Sequence, residues 1–258
     1  MALRLSTGLR NFLQQHGSIK QALQNGCIEL YSGSQPASGD AAVTGTLLCT
    51  VTKASGTRTA EVLASGTVTL TGGASGSVDT VTVNSVNVIP GGAVPFNTSL
   101  TQTAADVATA INKGLSSPEY IATSSGAVVT IKALPGSGTA PNTFVVTATL
   151  TTITASYANM SGGVAAVNGL SFNNASGGAI DKSDTEVWSG VNVASGTAGW
   201  FRFKGSVADA GSADSAATYI RLDGAVATSG AEYNVSNTTL TAAATHTMTS
   251  FPLNFPAS

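Results

Sequence analysis

Residues 186–223 hold both tryptophans of the chain, Trp188 and Trp200, and two of its eight phenylalanines, Phe201 and Phe203. Only 6% of the chain is aromatic, so this stretch is where a packed core can be anchored, because large aromatic side chains dominate core energetics. Trp200-Phe201-Arg202-Phe203-Lys204 alternates: Phe201 and Phe203 point to one face of a strand, and Trp200, Arg202 and Lys204 to the other. Tyr219-Ile220-Arg221-Leu222 repeats the pattern with Ile220 and Leu222 inward. Joined by the polar 208–216 loop, the two segments predict neighbouring antiparallel strands with one face buried and the other solvated. The expected core anchors are Trp188, Trp200, Phe201, Phe203, Ile220 and Leu222.

Charge sets the second constraint. Lys, Arg, Asp and Glu make up 9% of the 258 residues, with a net charge of −2, against about 25% charged residues in an average globular protein. Ala, Gly, Ser and Thr fill the gap, which favours short strands and turns over helices. A surface covered by hydroxyls and small side chains gives little repulsion against association. No two Lys or Arg residues are adjacent, so the basic stripe that nucleic-acid binding requires is missing. No apolar run reaches the roughly 18 residues of a membrane span, and the first residues lack a signal-peptide hydrophobic region. Cys27 and Cys49 form no CxxC, sit in apolar contexts and read as buried free thiols rather than a disulfide.

Along the chain, Ser6 to Gln24 predicts two short helices, the first with Leu9, Phe12 and Leu13 on one face, the second capped by Ser18. Strands follow at 27–31 and 46–52. Between about Ser55 and Ala165 there is no Trp and charge is sparse. That block predicts strands at 67–70, 78–83, 86–89, 128–132 and 144–149, a tight turn at Asn84-Ser85, and one helix from Thr101 to Gly114. Thr101 or Thr103 is the expected cap of that helix, and Ala104, Val107, Ala108, Ile111 and Leu115 form its apolar stripe. After Gly163 the outer texture returns and closes on an alternating strand from His246 to Phe255.

The expected architecture is mainly β. Residues 1–55 and 166–258 form one discontinuous antiparallel β-sandwich, jelly-roll or immunoglobulin-like, with short N-terminal helices. Residues 56–165 form an inserted small α+β domain with one helix, since insertion succeeds at loops whose ends lie close together.

No catalytic pattern stands in the sequence. His16 and His246 have no third imidazole or Cys cluster at ligand spacing. No nucleophile elbow, phosphate loop or dinucleotide fingerprint occurs. Asp181, Asp184 and Glu186 make the densest acidic patch, with Lys182 inside it, and read as a solvated turn rather than a calcium loop. Glu29, Asp79 and Asp106 read as isolated carboxylates. No metal and no cofactor is expected.

The outer sequence resembles a group of tailed-bacteriophage structural proteins. The resemblance rests on Leu5-Ser-Thr-Gly-Leu-Arg-Asn, Asn25-Gly-Cys-Ile-Glu-Leu-Tyr-Ser-Gly-Ser-Gln-Pro-Ala-Ser, Glu186-Val-Trp-Ser-Gly, Gly196-Thr-Ala-Gly-Trp-Phe-Arg-Phe, and the close from Ser250-Phe to Pro256-Ala-Ser. The middle block is similar to a separate module of phage structural proteins, through Val81-Thr-Val-Asn-Ser-Val, the Thr103–Asn112 helix, and Val129-Thr-Ile-Lys-Ala with the Pro141-Asn142 loop. The resemblance implies a non-enzymatic virion protein assembled in the host cytoplasm, and a capsid decoration or cement protein is the leading expectation. The major capsid protein or other virion proteins would be its partners, as a homo-oligomer with a trimer favoured. A neck, tail or fibre-base position is the alternative. A carbohydrate-binding module stacking sugars on Tyr31, Tyr157 or Trp188 is the second alternative, which an exposed Trp188 would favour. Leu9, Phe12 and Leu13 are the candidate contact with a neighbouring subunit, or else pack on their own domain.

Overall fold

The computed structural model describes residues 3–114 and 116–254. The expected roles of Leu115 in a helical stripe and of Phe255 in the last strand, and the closing Pro256-Ala-Ser motif, lie outside the described residues. The protein is mainly β, with 41% strand and 11% helix, almost wholly antiparallel and sandwich-like. It divides into two compact units, Met1–Glu61 with Ala166–Ser258, and Val62–Ala165. The division falls six residues after the 55/56 boundary read from texture, because Thr59 bridges to Val167 and Glu61 to Val207 within the first unit.

In the discontinuous unit, hydrogen-bonded neighbours run in the order Arg4–Leu5, Arg221–Ala227, Gly196–Lys204, Cys27–Ser32, Leu47–Lys53, Trp188–Val191 and Thr245–Met248. Tyr233–Asn234 adds a short parallel pair to Arg221–Ala227. Helix α1 (Thr7–Gln15) is capped by the Ser6 hydroxyl, which accepts from the Leu9 N–H, and α2 (Ile19–Leu23) by Ser18 in the same way. Register sets Phe201 opposite Leu30 and Phe203 opposite Ile28, with Leu222 on the far side of Phe203. Their shared face meets Phe172, Trp188 and Phe251, with ring centroids 5.3–6.3 Å apart. Each ring buried this way contributes about 1.5–3 kcal/mol. Gly224 sits beside Phe201, and a Cβ there would come within 2.6 Å of the ring, so only glycine leaves it room.

The last strand is shorter than its alternation predicts. It breaks into Thr245–Met248 and Leu253–Asn254, the latter paired with Ala179–Ile180. Pro252 between them has no N–H to continue a ladder, and the preceding Phe251 N–H is taken by the Asp181 carboxylate at 2.7 Å.

The Val62–Ala165 unit has its own core. One sheet orders Thr154–Ser161, Ser65–Gly72, Val128–Ala133 and Tyr120–Ser125; the other orders Val146–Thr151, Ser77–Val83 and Val86–Asn87, with Val94–Pro95 beside Ser77–Val83. Val68, Val81, Val129 and Ile131 from the two sheets are fully buried together with Ala104, Val107 and Ile111 of α3 (Leu100–Lys113). Asn84 and Ser85 both have positive φ, 49° and 67°, as a two-residue hairpin turn requires. The cap of α3 is Ser99, whose hydroxyl accepts from the Gln102 N–H at 3.1 Å, and not Thr101 or Thr103. Thr103 is engaged elsewhere: its hydroxyl accepts from the Asn97 N–H and donates to the Ser99 carbonyl. The strands Tyr120–Ser125 and Thr154–Ser161 were not foreseen. Most of the side chains of Thr154–Ser161 are exposed, so pairing with Ser65–Gly72 rather than apolar alternation places it.

Candidate functional site: a buried polar face

One face of the discontinuous unit contradicts the expectation of a solvated side. Register places Tyr31 opposite Trp200, Glu29 opposite Arg202, Cys27 opposite Lys204, and Asp223 and Arg221 on the other flank of Arg202 and Lys204. All of these share the face away from Phe201 and Phe203. Yet Trp200, Arg202, Arg221 and Asp223 are fully buried and Lys204 is 5% exposed. Charged residues are almost never this buried unless paired, and each of these is.

The Arg202 guanidinium donates from Nε and Nη2 to the two Asp223 carboxylate oxygens at 2.8 and 2.7 Å. Arg221 makes the same fork to Asp209 at 2.6 Å through both oxygens. Lys204 Nζ lies 2.6 Å from Glu29 Oε2, which also accepts from the Tyr31 hydroxyl at 2.5 Å. Tyr31 stacks on Trp200 at 4.6 Å and 13°, and Arg202 lies over the same indole. Two-point guanidinium–carboxylate pairing adds direction as well as energy.

The covering layer is the chain between strands at 33–46 and 205–220. Arg202 donates to the Ala41 carbonyl, Arg221 to Ser212, and Lys204 to Asp209. Val43 and Gly211 join the two loops backbone to backbone. The three aspartates of these loops turn inward: Asp40 accepts from the Thr7 N–H and hydroxyl, Asp209 from Arg221, and Asp214 from the Tyr219 N–H and the Thr218 hydroxyl. What faces out is Ala37, Ser38, Ala42, Thr44, Ala210, Ser212 and Ala216.

Burial works to raise the Asp209 carboxyl, but the Arg221 hydrogen bonds and the Gly211 N–H hold it below the usual carboxylate range. At Asp223 burial prevails and the carboxyl is raised despite Arg202. Burial, with Glu29 beside it, pushes the Tyr31 phenol up, so it stays a hydrogen-bond donor.

The core anchors Trp188, Phe201, Phe203, Ile220 and Leu222 are buried on the apolar side, whereas Trp200 is buried on the polar one. Leu9 and Phe12 are buried, at 0% and 4% exposure, and Leu13 is half-buried. A contact with a neighbouring subunit through Leu9 and Phe12 is therefore corrected: the capped helix turns that stripe onto its own unit. Of the proposed stacking platforms, Trp188 and Tyr31 are buried, and only Tyr157, 41% exposed, reaches solvent. The Asp181–Glu186 turn is not simply solvated. Asp181 accepts from the N–H groups of Lys182 and Phe251, and Glu186 from Ser171 and, at 3.3 Å, the Trp188 indole. Asp79 accepts from Ser77 and Thr151, and Asp106 from Asn97 and Gln102.

Cys27 and Cys49 are free and buried, which pushes both thiols up to about 11. His246 bonds the Tyr233 hydroxyl at 2.9 Å, and burial lowers its pKa. Among the described residues no group of three or more His, Cys, Asp and Glu could hold a metal ion, and no helix is long and apolar enough to cross a membrane. Comparison with protein-family models, with curated proteins and with solved structures returned no match.

Sequence reasoning found the parity of this face but not its burial. The signal was the run of Arg202, Lys204, Arg221 and Asp223 in a chain this poor in charge, with Asp40, Asp209 and Asp214 in the loops able to reach them.

Proposed function

We propose that this chain is a non-enzymatic structural protein of a tailed-bacteriophage virion, a decoration or cement protein seated on the assembled head. The observation that carries the reading is where the charge goes. Glu61, Arg202, Lys204, Asp214, Arg221 and Asp223 are buried, out of 24 charged residues in the chain. The loops they hold present small uncharged side chains. Such a surface buries broad area against a neighbour without desolvating ions, and it is already ordered before contact, which removes part of the cost of association. Many copies on one particle then supply avidity that a single interface lacks. The resemblance of the outer segments to phage structural proteins supports the same class, and the buried Trp188 counts against a sugar-stacking module.

Immunogold electron microscopy of the virions, with antibody to residues 62–165, tests it. Gold over the heads is the expected result. Gold confined to neck or tail would replace the cement role by the ring or fibre-base role. Unlabelled virions would overturn the virion reading.

A further inference from the structure

The Lys204–Glu29 pair differs from every other ion pair on this face, because its cation is a primary amine. Lys204 Nζ is 2.6 Å from Glu29 Oε2, and the two side chains are 6% and 14% exposed. Arginine is locked as a cation and is no nucleophile, and the Lys53–Glu186 pair at 3.2 Å leaves its lysine 52% exposed and hydrated. Lys204–Glu29 is the buried lysine–carboxylate pair among the described residues. A third group is in place: the Tyr31 hydroxyl donates to the same Oε2 at 2.5 Å. Trp200 stacked on Tyr31 and the 205–220 loop, whose Asp209 carbonyl accepts from Nζ at 3.0 Å, keep bulk water from the pair.

We propose that Lys204 and Glu29 condense into an intramolecular isopeptide bond, with Tyr31 as the catalytic hydrogen-bond donor. The ammonium passes one proton to Glu29 Oε2, the oxygen it contacts at 2.6 Å. The Nζ lone pair attacks Glu29 Cδ. The Tyr31 O–H, bonded to the same Oε2, assists the departure of that oxygen, as a positioned general acid does. The Nζ–Cδ bond forms, the Cδ–Oε2 bond breaks, and Oε2 leaves as water with the proton it received and a second proton from Nζ. Ammonium and carboxylate become amide and water, with no oxidant, no cofactor and no net change in charge. In bulk water such a condensation is unfavourable, but groups held in contact reach effective molarities of about 10⁵–10⁸ M. The bond joins strands Cys27–Ser32 and Gly196–Lys204, and so ties the two sequence pieces of the discontinuous unit into one covalent body around the insertion.

The mass of the intact, denatured full-length chain decides it. The expected value is lighter than the sequence by one water, with a branched peptide carrying Glu29 and Lys204 after digestion. Nicking the Gly-rich 134–142 loop should leave both fragments joined on a denaturing gel. Lys204→Arg and Glu29→Ala should restore the full mass and release the fragments, and Glu29→Gln should lose ammonia in place of water. Tyr31→Phe should slow bond formation about 10²-fold, the lower end of what a positioned general acid contributes. A wild-type chain at its full sequence mass would overturn the proposal, as would a loss of water that survives Lys204→Arg. The wild-type measurement stands even where a variant fails to fold.

Discussion

Arg202 and Asp223 face each other directly across two antiparallel strands, joined by two hydrogen bonds at 2.8 and 2.7 Å, and neither side chain is exposed. The pair sits where a solvated strand face would carry water. Burying two charges is costly, and removing one partner is costlier still because the other is left unpaired.

Arg202→Met or Asp223→Ala should each destabilise the discontinuous unit by about 3–5 kcal/mol, read as a shift in urea midpoint. Arg202→Met with Asp223→Leu should recover most of that loss. A single variant with the stability of the parent would mean the face is hydrated in solution.

Acid should act through Asp209 and Glu186, whose carboxyls both lie below the usual range in the folded protein. Burial works against both; Arg221 and the Gly211 N–H lower Asp209, and the Ser171 N–H and Lys53 lower Glu186. A lowered folded pKa adds stability that is complete above the unfolded value of about 4 and is lost as pH falls through the folded value. Asp223, raised by burial, has the opposite sign and loses stability as pH rises past its unfolded value. Urea midpoints should therefore fall steeply below about pH 4, and Asp209→Asn should flatten that slope while lowering the plateau.

One edge strand of the inserted unit, Tyr120–Ser125, is met by a side chain of α3. Asn112 of α3 donates from Nδ2 to the Ala122 carbonyl and accepts from the Ala122 N–H, both at 2.8 Å. An uncovered edge strand is a template for association. Asn112→Ala should cost about 1–3 kcal/mol by leaving those backbone groups unmet, and size-exclusion chromatography should show higher oligomers. Asn112→Asp keeps the acceptor only and should fall between.

Each unit closes on itself where the chain passes between them: Thr59 pairs with Val167 in one, and Val62 with Val164 in the other. With the apolar core of the insert wholly its own, residues 62–165 expressed alone should fold cooperatively, as dispersed amide resonances and a single denaturation transition would report. Replacing 62–165 by a short Gly-containing turn should leave the remainder folded, with Trp188 and Trp200 fluorescence still that of buried indoles. An unfolded insert would show that the insert depends on the rest of the chain.

Cys27 and Cys49 should resist a thiol reagent at neutral pH, since the thiolate is the reactive form and burial holds both thiols near 11. Labelling should appear only with global unfolding. Fast labelling of either in the native protein would place it on a mobile segment.

Local sequence determined a good deal here. The alternation of Trp200 to Lys204 assigned every side chain of that strand to its correct face, because the strand period is two wherever the strand lies. Ser18 marked its helix start because a cap needs only a hydroxyl and the next turn. Asn84-Ser85 marked a turn because few side chains tolerate positive φ. Texture alone separated an inserted block from the chain around it.

Only the tertiary structure decided which faces meet water. Whether Arg202, Lys204 and Arg221 point to solvent depends on loops 33–46 and 205–220 folding over them, and those loops are held through their own carboxylates and carbonyls, the Ala41 carbonyl lying 161 residues from Arg202 in sequence. The same holds for Leu9 and Phe12, whose stripe suits an interface or a core equally until its partner surface is placed. Strand Thr154–Ser161 was invisible for a related reason: its order comes from Ser65–Gly72, a pairing no local pattern encodes. Periodicity is a property of the backbone, whereas burial is a property of what the rest of the chain brings to it.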